Sequence, residues 1–288
     1  MKIVILGHSG FIGKNLTRRF MKSGGHEVVG YSFPDVDLAD YESAVSIGPD
    51  LTPDAHLIVL AAVKRQFGDT LDIYRKNMLI AENICRLLEK RPVAQVIFFS
   101  SAAVYGEETE NPSIDEGTLV NPTSYYGMAK YASERLFRKT CTSHDIRSFI
   151  CVRPPLIYGP GDEERTYGPS GFCADALEDR QITLWGDGGE LREFLYVEDA
   201  VGIIEMLLSS GYFGEVNLSS GSSRSFADII AILRKHFPGL KVGSKPRTKS
   251  KADNAFSPRL VRSLLPAGFS FTPLEEGIAR LLAVRREA

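Results

Sequence analysis

The chain has 288 residues, a formal net charge of −2 and 43% hydrophobic residues, enough to bury the core of one large domain or of two unequal lobes. Its positive charges are scattered rather than collected in a basic stripe, so we expect no nucleic-acid partner, and no apolar run approaches the length of a membrane span, so we expect no membrane association. Its four cysteines form neither a C-x-x-C pair nor a cluster with histidines, which predicts no metal site and free thiols in a cytoplasmic protein.

The first predicted element is a short apolar strand at residues 3–6, and the glycine-rich stretch GHSGFIGKN follows it at residues 7–15. A triphosphate-binding P-loop requires Gly-x-x-x-x-Gly-Lys-Ser/Thr, but His8 and Asn15 stand where its first glycine and its hydroxyl residue should be. The spacing Gly-x-x-Gly-x-x-Gly is instead close to that of a dinucleotide-binding turn. The predicted cofactor-binding residues of this turn are Gly7, Gly10, Phe11, Ile12 and Gly13.

The residues after the glycines predict an amphipathic helix, because Ile12, Leu16 and Phe20 recur every four residues and basic residues occupy the other faces. Gly24 and Gly25 predict its C-terminal end. A strand, a glycine turn and a helix in this order place free N–H groups and a helix dipole where they attract the pyrophosphate of a dinucleotide. On spacing alone, a structural turn without a ligand remains an alternative.

The rest of the first half alternates predicted strands and helices. Buried strands are predicted at residues 27–32, 56–62, 95–101 and 147–154, and helices at residues 40–47, 71–88 and 125–142. This alternation predicts an α/β fold with a doubly wound parallel (Rossmann) sheet.

Beyond Pro154 the alternation becomes less regular. The Gly/Pro-rich, charged stretch 159–171 predicts a mobile loop at a lobe boundary. A helix at 199–208 and a strand at 215–220 are expected to return to the main sheet, and Thr272-Pro-Leu-Glu275 predicts a capping box that opens a terminal helix. We therefore predict a Rossmann domain at residues 1–165, to which residues of about 199–220 return, and a smaller, mainly substrate-binding C-terminal lobe at residues 166–288.

Two polar stretches follow buried strands, at the sheet edge where ligands of such folds lie. Ser100 and Ser101 end the strand 95–101, and Tyr126-Gly-Met-Ala-Lys130 belongs to the next helix. Positions i and i+4 share a helix face, and a neighbouring ammonium lowers the pKa of a phenol from its usual value near 10. Tyr126 then becomes a usable proton shuttle. Tyr-x-x-x-Lys by itself also occurs by chance on helix surfaces, so the prediction depends on its combination with the glycine turn and the serines.

In this combination the chain resembles the extended short-chain dehydrogenase/reductase family, in particular its NAD(P)-dependent nucleotide-sugar epimerases, dehydratases and reductases. The resemblance covers essentially the whole chain, through AAVK (61–64), SSAAVYG (100–106), RPPLIYGP (153–160), LWGDG (184–188) and REF (192–194). It implies catalytic roles for Ser101, Tyr126 and Lys130. It implies further cofactor contacts from Ser32, Asp37, Leu38, Ala61, Ala62, Lys64, Asn77, Tyr126, Lys130 and Pro154. It implies substrate contacts from Ser101, Ala102, Tyr126, Leu156, Trp185, Arg192 and Arg259.

Several of these residue types also suit a purely structural role. Asn77 suits a helix cap or an exposed surface, and Trp185 suits core packing. Arg192 suits a solvated surface charge, although the guanidinium group also binds phosphate oxygens in pairs. These alternatives remain open at the level of sequence.

Two departures from the family pattern bear on the cofactor and the substrate. Many members end the second strand in Asp or Glu, which binds the adenosine ribose and favours NAD, whereas this chain has Ser32. The choice between NAD and NADP therefore stays open, with a slight preference for NADP. Leu156 stands where many epimerases have an Asn that contacts the substrate diphosphate. This departure, together with the short linker 33–36, is more typical of 4-keto-sugar reductases.

The resemblance implies hydride transfer at C4 of a nucleotide-diphosphate sugar, by a 4-keto-sugar reductase or a sugar 4-epimerase, which are nearly balanced. The alternative is a catalytically silent NAD(P)-sensing binding protein of the same fold, but such proteins typically lose the tyrosine.

The resemblance also implies a homodimer through helices at 71–89 and 124–142. The side chains expected on their outer faces are Tyr74, Leu87, Tyr131 and Phe137.

Overall fold

The computed structural model describes residues 1–163, 168–248 and 250–287. The strands are β1 (Lys2–Leu6), β2 (Glu27–Tyr31), β3 (His56–Val59), β4 (Gln95–Phe99), β5 (Asn111–Ile114), β6 (Ser148–Arg153), β7 (Leu156–Tyr158), β8 (Ile182–Trp185), β9 (Leu191–Arg192), β10 (Phe194–Tyr196), β11 (Gly214–Asn217), β12 (Arg224–Ser225), β13 (Val242–Lys245) and β14 (Asn254–Phe256). The α-helices are α1 (Phe11–Ser23), α2 (Tyr41–Ala44), α3 (Leu71–Lys90), α4 (Tyr125–Ser143), α5 (Gly168–Leu177), α6 (Val197–Leu207), α7 (Phe226–His236), α8 (Arg259–Leu264) and α9 (Leu274–Glu287). Short 3₁₀ helices lie at Val45–Asp50, Arg65–Phe67 and Ala102–Tyr105.

The largest sheet of the described residues has six strands in the order β11-β6-β4-β3-β1-β2. β1 pairs in parallel with both β2 and β3, and β4 pairs in parallel with both β3 and β6. The chain therefore builds the sheet outward from β1 in both directions, which confirms the predicted doubly wound α/β fold. The carboxyl end of β1 lies where the strand order reverses, and ligands of such sheets bind at this position. β11, which follows α6 in the chain, is an edge strand of this sheet.

The chain divides into two compact units by its own contacts. Unit 1 comprises residues 1–106, 119–153 and 201–216, and unit 2 comprises residues 107–118, 154–200 and 217–288. The core of unit 1 is formed by apolar side chains from the main sheet and from helices packed on it, among them Leu57, Phe98 and Ile84. Unit 2 has a core of its own, which includes Tyr196 and Ile278.

Residues 107–118 belong to unit 2, although unit 1 precedes and follows them in the chain. Their strand β5 pairs in parallel with β14, and the Glu116 carboxylate accepts a 2.8 Å hydrogen bond from the Asn217 backbone N–H. Both partners come from more than 100 residues further along the chain, so sequence periodicity did not indicate this excursion.

Three local expectations need correction. The helix expected at 40–47 is the short helix α2 followed by a 3₁₀ helix that contains Pro49. Helix α5 begins at Gly168, so residues 168–171 are helical rather than part of the expected loop, whose residues 164–167 lie outside the described residues. The capping box at the start of α9 does not form, because the N–H and the hydroxyl of Thr272 donate to the Asp199 carboxylate at 2.7 and 2.9 Å.

The outer faces of α3 and α4 also differ from expectation. Leu87 and Phe137 are 4% and 0% exposed and belong to the core of unit 1, whereas Tyr74 and Tyr131 are half-buried. Other apolar side chains of these helices, Leu79 and Met128, are exposed to 44% and 43%. A periodicity of 3.6 residues identifies the apolar residues of a helix, but tertiary packing decides which of them face the core and which stay exposed.

Candidate active site

The conformation of the glycine turn after β1 requires glycine at two of its three glycine positions, whereas the third position has room for a side chain. Gly7 has φ +92°, and a Cβ on Gly13 would lie 2.2 Å from the Gly7 carbonyl oxygen. A Cβ on Gly10 would meet only that same oxygen, at an ordinary 3.4 Å. Gly10 is also the N-cap of α1 and provides no side-chain hydrogen bond to its first turn. The uncapped N-terminus beside Gly10 suits an anion such as a pyrophosphate.

Ser32, directly after β2, contacts the glycine turn. Its Oγ accepts a 3.0 Å hydrogen bond from the Ser9 backbone N–H and lies 3.0 Å from His8 Nδ1. A Cβ on Gly30 would lie 2.4 Å from the His8 ring, so the missing side chain at this position allows the ring to pack on β2. The predicted cofactor-binding residue Ser32 is 7% exposed and braces the turn.

Helix α3 holds two further predicted cofactor segments through buried asparagines. The Asn77 side chain accepts a 2.8 Å hydrogen bond from the Val63 N–H and donates a 3.0 Å bond to the Val63 carbonyl oxygen. These two bonds fix the segment 61–64, which contains Ala61, Ala62 and Lys64. Asn83 Nδ2 donates to the Leu38 carbonyl oxygen at 3.0 Å. At 6% exposure Asn77 is neither on the surface nor a helix cap. Asn83 was missed at the sequence level, although an amide directly before the apolar Ile84 on a buried helix face was a signal.

Asp37 and Leu38 have different surroundings despite being neighbours. Asp37 is exposed, and its carboxylate accepts a 2.9 Å hydrogen bond from the Ala39 N–H. Leu38 is 5% exposed and packs in the core of unit 1. Leu38 is therefore held in the core of unit 1, whereas the Asp37 carboxylate lies on the surface.

The residues Ser100–Gly106, here called the serine turn, follow β4. Ser101 Oγ accepts a 3.1 Å hydrogen bond from the Ala103 N–H and so caps the 3₁₀ helix Ala102–Tyr105. This bond uses a lone pair of the hydroxyl and not its hydrogen. A Cβ on Gly127 would lie 2.7 Å from the Ala103 carbonyl oxygen, so the first turn of α4 lies directly on the serine turn.

Tyr126 and Lys130 share one face of α4, as their spacing predicted. Lys130 Nζ lies 5.8 Å from the centroid of the Tyr126 ring and donates a 2.6 Å hydrogen bond to the Phe99 carbonyl oxygen. Lys130 is 4% exposed, and this burial lowers its pKa to about 8. The Tyr126 backbone N–H donates to the Asp69 carboxylate at 3.2 Å.

A buried ion pair lies beside these residues and was not predicted. Arg153 donates to both oxygens of the Glu134 carboxylate, from Nε at 3.0 Å and from Nη2 at 2.6 Å. Its Nη1 donates to the Tyr105 hydroxyl at 2.8 Å, and the Ser100 hydroxyl donates to Glu134. Burial disfavours the charge of Arg153, but the contacts with Glu134 together raise the pKa of Arg153. An arginine ending a wholly buried strand was a sequence signal that such a partner exists.

The predicted substrate residues are divided between the units, with Ala102 in the serine turn and four others in unit 2. Leu156 lies in β7 and is half-buried, and Arg259 is exposed at the start of α8. Trp185 is 46% exposed, with the Lys245 ammonium 3.7 Å from its ring centroid, so core packing does not explain it. Arg192 is half-buried, and its Nη1 donates to the carbonyl oxygens of Leu191 and Ala252 at 2.8 and 2.5 Å. Pro154, predicted at the cofactor, directly follows β6 and is half-buried.

The residues that the structure describes contain no group of three or more His, Cys, Asp and Glu side chains arranged to hold a metal ion. None of their helices is both long enough and apolar enough to cross a membrane.

Comparisons with known proteins agree with this architecture. Residues 3–218 match the model of the NAD dependent epimerase/dehydratase family. The chain is 30% identical over 240 residues to the GDP-6-deoxy-D-talose 4-dehydrogenase of Aggregatibacter actinomycetemcomitans. The aligned stretch covers 81% of this chain and 79% of that relative. The structure of MoeE5 in complex with UDP-glucose and NAD is 25% identical, with a TM-score of 0.86 over 100% of this chain and 99% of that one. The Thermus thermophilus UDP-glucose 4-epimerase has the same fold, with 22% identity and a TM-score of 0.86 over 100% of both chains.

Proposed function

Because the chain belongs to the NAD-dependent epimerase/dehydratase family, we propose that it is an enzyme that transfers hydride between NAD(P) and C4 of a nucleotide-diphosphate sugar. The observation that carries this proposal is the position of Lys130, whose ammonium lies beside the Tyr126 ring and is bonded to the end of β4. A lysine buried to this extent has a high electrostatic cost, and proton-transfer chemistry gives a reason to retain it.

The proposed roles follow from the chemistry of each side chain. Tyr126 removes or returns the proton of the sugar hydroxyl, and the Lys130 ammonium favours the phenolate that this requires. Ser101 donates its hydroxyl hydrogen to the same sugar oxygen. Lys130 also holds the ribose next to the nicotinamide.

NAD(P), when bound, supplies the hydride acceptor or donor, while the protein orients the reactants. The residues of unit 1 fit such a cofactor, because the open space at Gly10 meets a helix N-terminus without a side-chain cap. We propose that the glycine turn binds the pyrophosphate, and that the segments at Asp37–Leu38 and Ala61–Lys64 line the adenosine and the nicotinamide half.

Reaction at C4 is supported by the name of one relative, a 4-dehydrogenase of a GDP-sugar, at 30% identity. We further propose that Leu156, Trp185, Arg192 and Arg259 contact the nucleotide part of the substrate. Lys245 lies over one face of the exposed Trp185 ring, and we propose that the other face stacks on the base.

Two residues favour a reductase over an epimerase. An epimerase recovers its own hydride and gains from holding NAD tightly, whereas a reductase exchanges its cofactor in every cycle. Ser32 has no carboxylate to bind the adenosine ribose, and its neutral side chain does not repel a 2′-phosphate. Leu156 offers no polar group to the substrate diphosphate. We therefore propose a 4-keto-sugar reductase with a preference for NADPH, and the 4-epimerase as the second candidate, supported by the same Ser-Tyr-Lys geometry.

The deciding experiment adds NADPH, and separately NADH, to the protein and a 4-keto nucleotide sugar. A reductase oxidises the cofactor in stoichiometric amounts, and we expect a higher kcat/KM with NADPH. Interconversion of C4 epimers without added cofactor and without net oxidation would contradict the reductase. A higher kcat/KM with NADH would contradict the NADP preference alone.

A further inference from the structure

The carboxylate of Glu134 contacts two separate parts of the chain beside the proposed reaction site. It accepts hydrogen bonds from Ser100 at the end of β4 and from Arg153 at the end of β6. Through Arg153 Nη1 it is connected to Tyr105 at the far end of the serine turn. The pair therefore spans both ends of the turn that presents Ser101.

Glu134 also lies one helical turn after Lys130, on the same face of α4. Lys130 donates to the carbonyl oxygen of Phe99, and Glu134 accepts from the hydroxyl of Ser100, the next residue. Two successive turns of α4 thus contact two successive residues of the chain immediately before Ser101. This fixes the position of α4, and with it Tyr126, along the end of β4.

Stability alone is a weak reason for this arrangement. Glu134 and Arg153 are 1% and 3% exposed, and the desolvation of both charges offsets much of their attraction. Replacing a buried ion pair by neutral side chains of similar volume is often neutral or stabilising. What the pair adds is direction, because the planar guanidinium binds the carboxylate through two parallel hydrogen bonds and has a third donor for Tyr105.

We propose that Glu134 and Arg153 are positioning residues that hold the serine turn against α4 and so set the place of Ser101 relative to Tyr126. They act through Ser100, Tyr105 and the backbone of the turn, without contact with the substrate. This inference rests on the proposed function for its catalytic consequence, but its structural part is independent of any activity.

The test uses the double variant Glu134→Gln/Arg153→Met of the full chain, which removes both charges together. The matched control is Glu215→Gln/Arg138→Met. Arg138 lies one turn after Glu134 on the same helix, and it donates to Glu215 of β11 at 2.6 Å rather than to the serine turn. If the first double variant does not fold, Tyr105→Phe replaces it, because it removes the hydroxyl that accepts from Arg153 Nη1 and keeps the ring that the guanidinium contacts.

The first readout is hydrogen exchange of the Ala103, Val104 and Gly106 amides, which are bonded within the serine turn. We expect exchange about 10-fold faster in the Glu134/Arg153 variant than in the wild type and the control, because local opening loses its restraint. Unchanged exchange in a folded variant would overturn the proposal.

The second readout is kcat per bound cofactor, which corrects for any inactive fraction. We expect a fall of about 10- to 100-fold with KM of the sugar unchanged, since small misplacements of reacting groups have effects of this size. Wild-type kcat in a variant with faster exchange would overturn the positioning role. A wild-type protein without turnover would refute the proposed function, and hydrogen exchange would still decide whether the pair holds the turn.

Discussion

At the scale of single residues, Lys130 places a titratable ammonium where water has almost no access. Its pKa is lowered from 10.5 to about 8, and burial is the main cause. Between these two values the unfolded chain binds more protons than the folded one, so stability rises as the pH increases from about 8 to 10.5. Below pH 8 the folded protein bears the full cost of the buried charge.

We therefore expect Lys130→Met to raise the free energy of unfolding at pH 7. The pKa difference corresponds to about 3 kcal/mol, from which the lost hydrogen bond to Phe99 subtracts about 1 kcal/mol. The gain should be largely lost near pH 10.5, where the folded lysine is neutral and half of the unfolded chains also have a neutral lysine. Denaturant unfolding at the two pH values measures this, and a variant less stable than wild type at pH 7 would contradict it.

Tyr126 allows a direct test of the proton-transfer role. Tyr126→Phe keeps the ring and removes the hydroxyl, so we expect kcat to fall by about 10²–10⁴-fold, the usual effect of losing a general acid–base group. The neighbouring Tyr125, which is 42% exposed, provides the control. Tyr125→Phe should keep wild-type turnover, and near-normal turnover of Tyr126→Phe would refute the assignment.

At the scale of elements, different glycines of the glycine turn serve folding and binding. Gly13 has no room for a Cβ beside the Gly7 carbonyl oxygen, and Gly10 has ordinary space. A methyl group at Gly10 would occupy the place where we expect the cofactor pyrophosphate to approach the backbone.

Gly10→Ala and Gly13→Ala should therefore differ in kind. We expect Gly10→Ala to melt within a few degrees of wild type and to bind NAD(P)H at least about 10-fold more weakly, a loss of about 1.4 kcal/mol. Gly13→Ala should lower the melting temperature, because the contact would be 2.2 Å. Calorimetry of both variants with and without cofactor checks this, and tight cofactor binding by a folded Gly10→Ala would exclude the proposed pyrophosphate site.

Elements that depend on local patterns were predictable from the sequence. The main-sheet strands follow from short apolar runs, and Tyr126 and Lys130 share a face because a helix has a fixed period. Contacts between distant segments were not predictable in this way. The Asp199 carboxylate accepts hydrogen bonds from the N–H and the hydroxyl of Thr272, 73 residues away, and these bonds replace the local capping box. Glu134 and Arg153 belong to different elements, and the sequence does not indicate that these two residues pair with each other.

At the scale of the whole molecule, the homodimer remains a prediction of the family resemblance. Leu87 and Phe137 are core residues, so such a contact would use exposed apolar side chains of the same helices, such as Leu79 and Met128. We expect light scattering to give a dimeric mass at micromolar concentration and Leu79→Lys to give a monomeric one. Val45→Lys, at a similarly exposed apolar residue outside α3 and α4, is the control. A monomeric wild type would contradict the prediction.

The proposed reaction is hydride transfer at C4 of a nucleotide sugar, and an isotope label shows which carbon receives the hydride. The protein is incubated with a 4-keto nucleotide sugar and NADPH or NADH that carries deuterium at the reactive position of the nicotinamide. We expect one deuterium at C4 of the product sugar and loss of this transfer in Tyr126→Phe. Deuterium at another carbon, or binding of the dinucleotide without transfer to any nucleotide sugar of a broad panel, would contradict it.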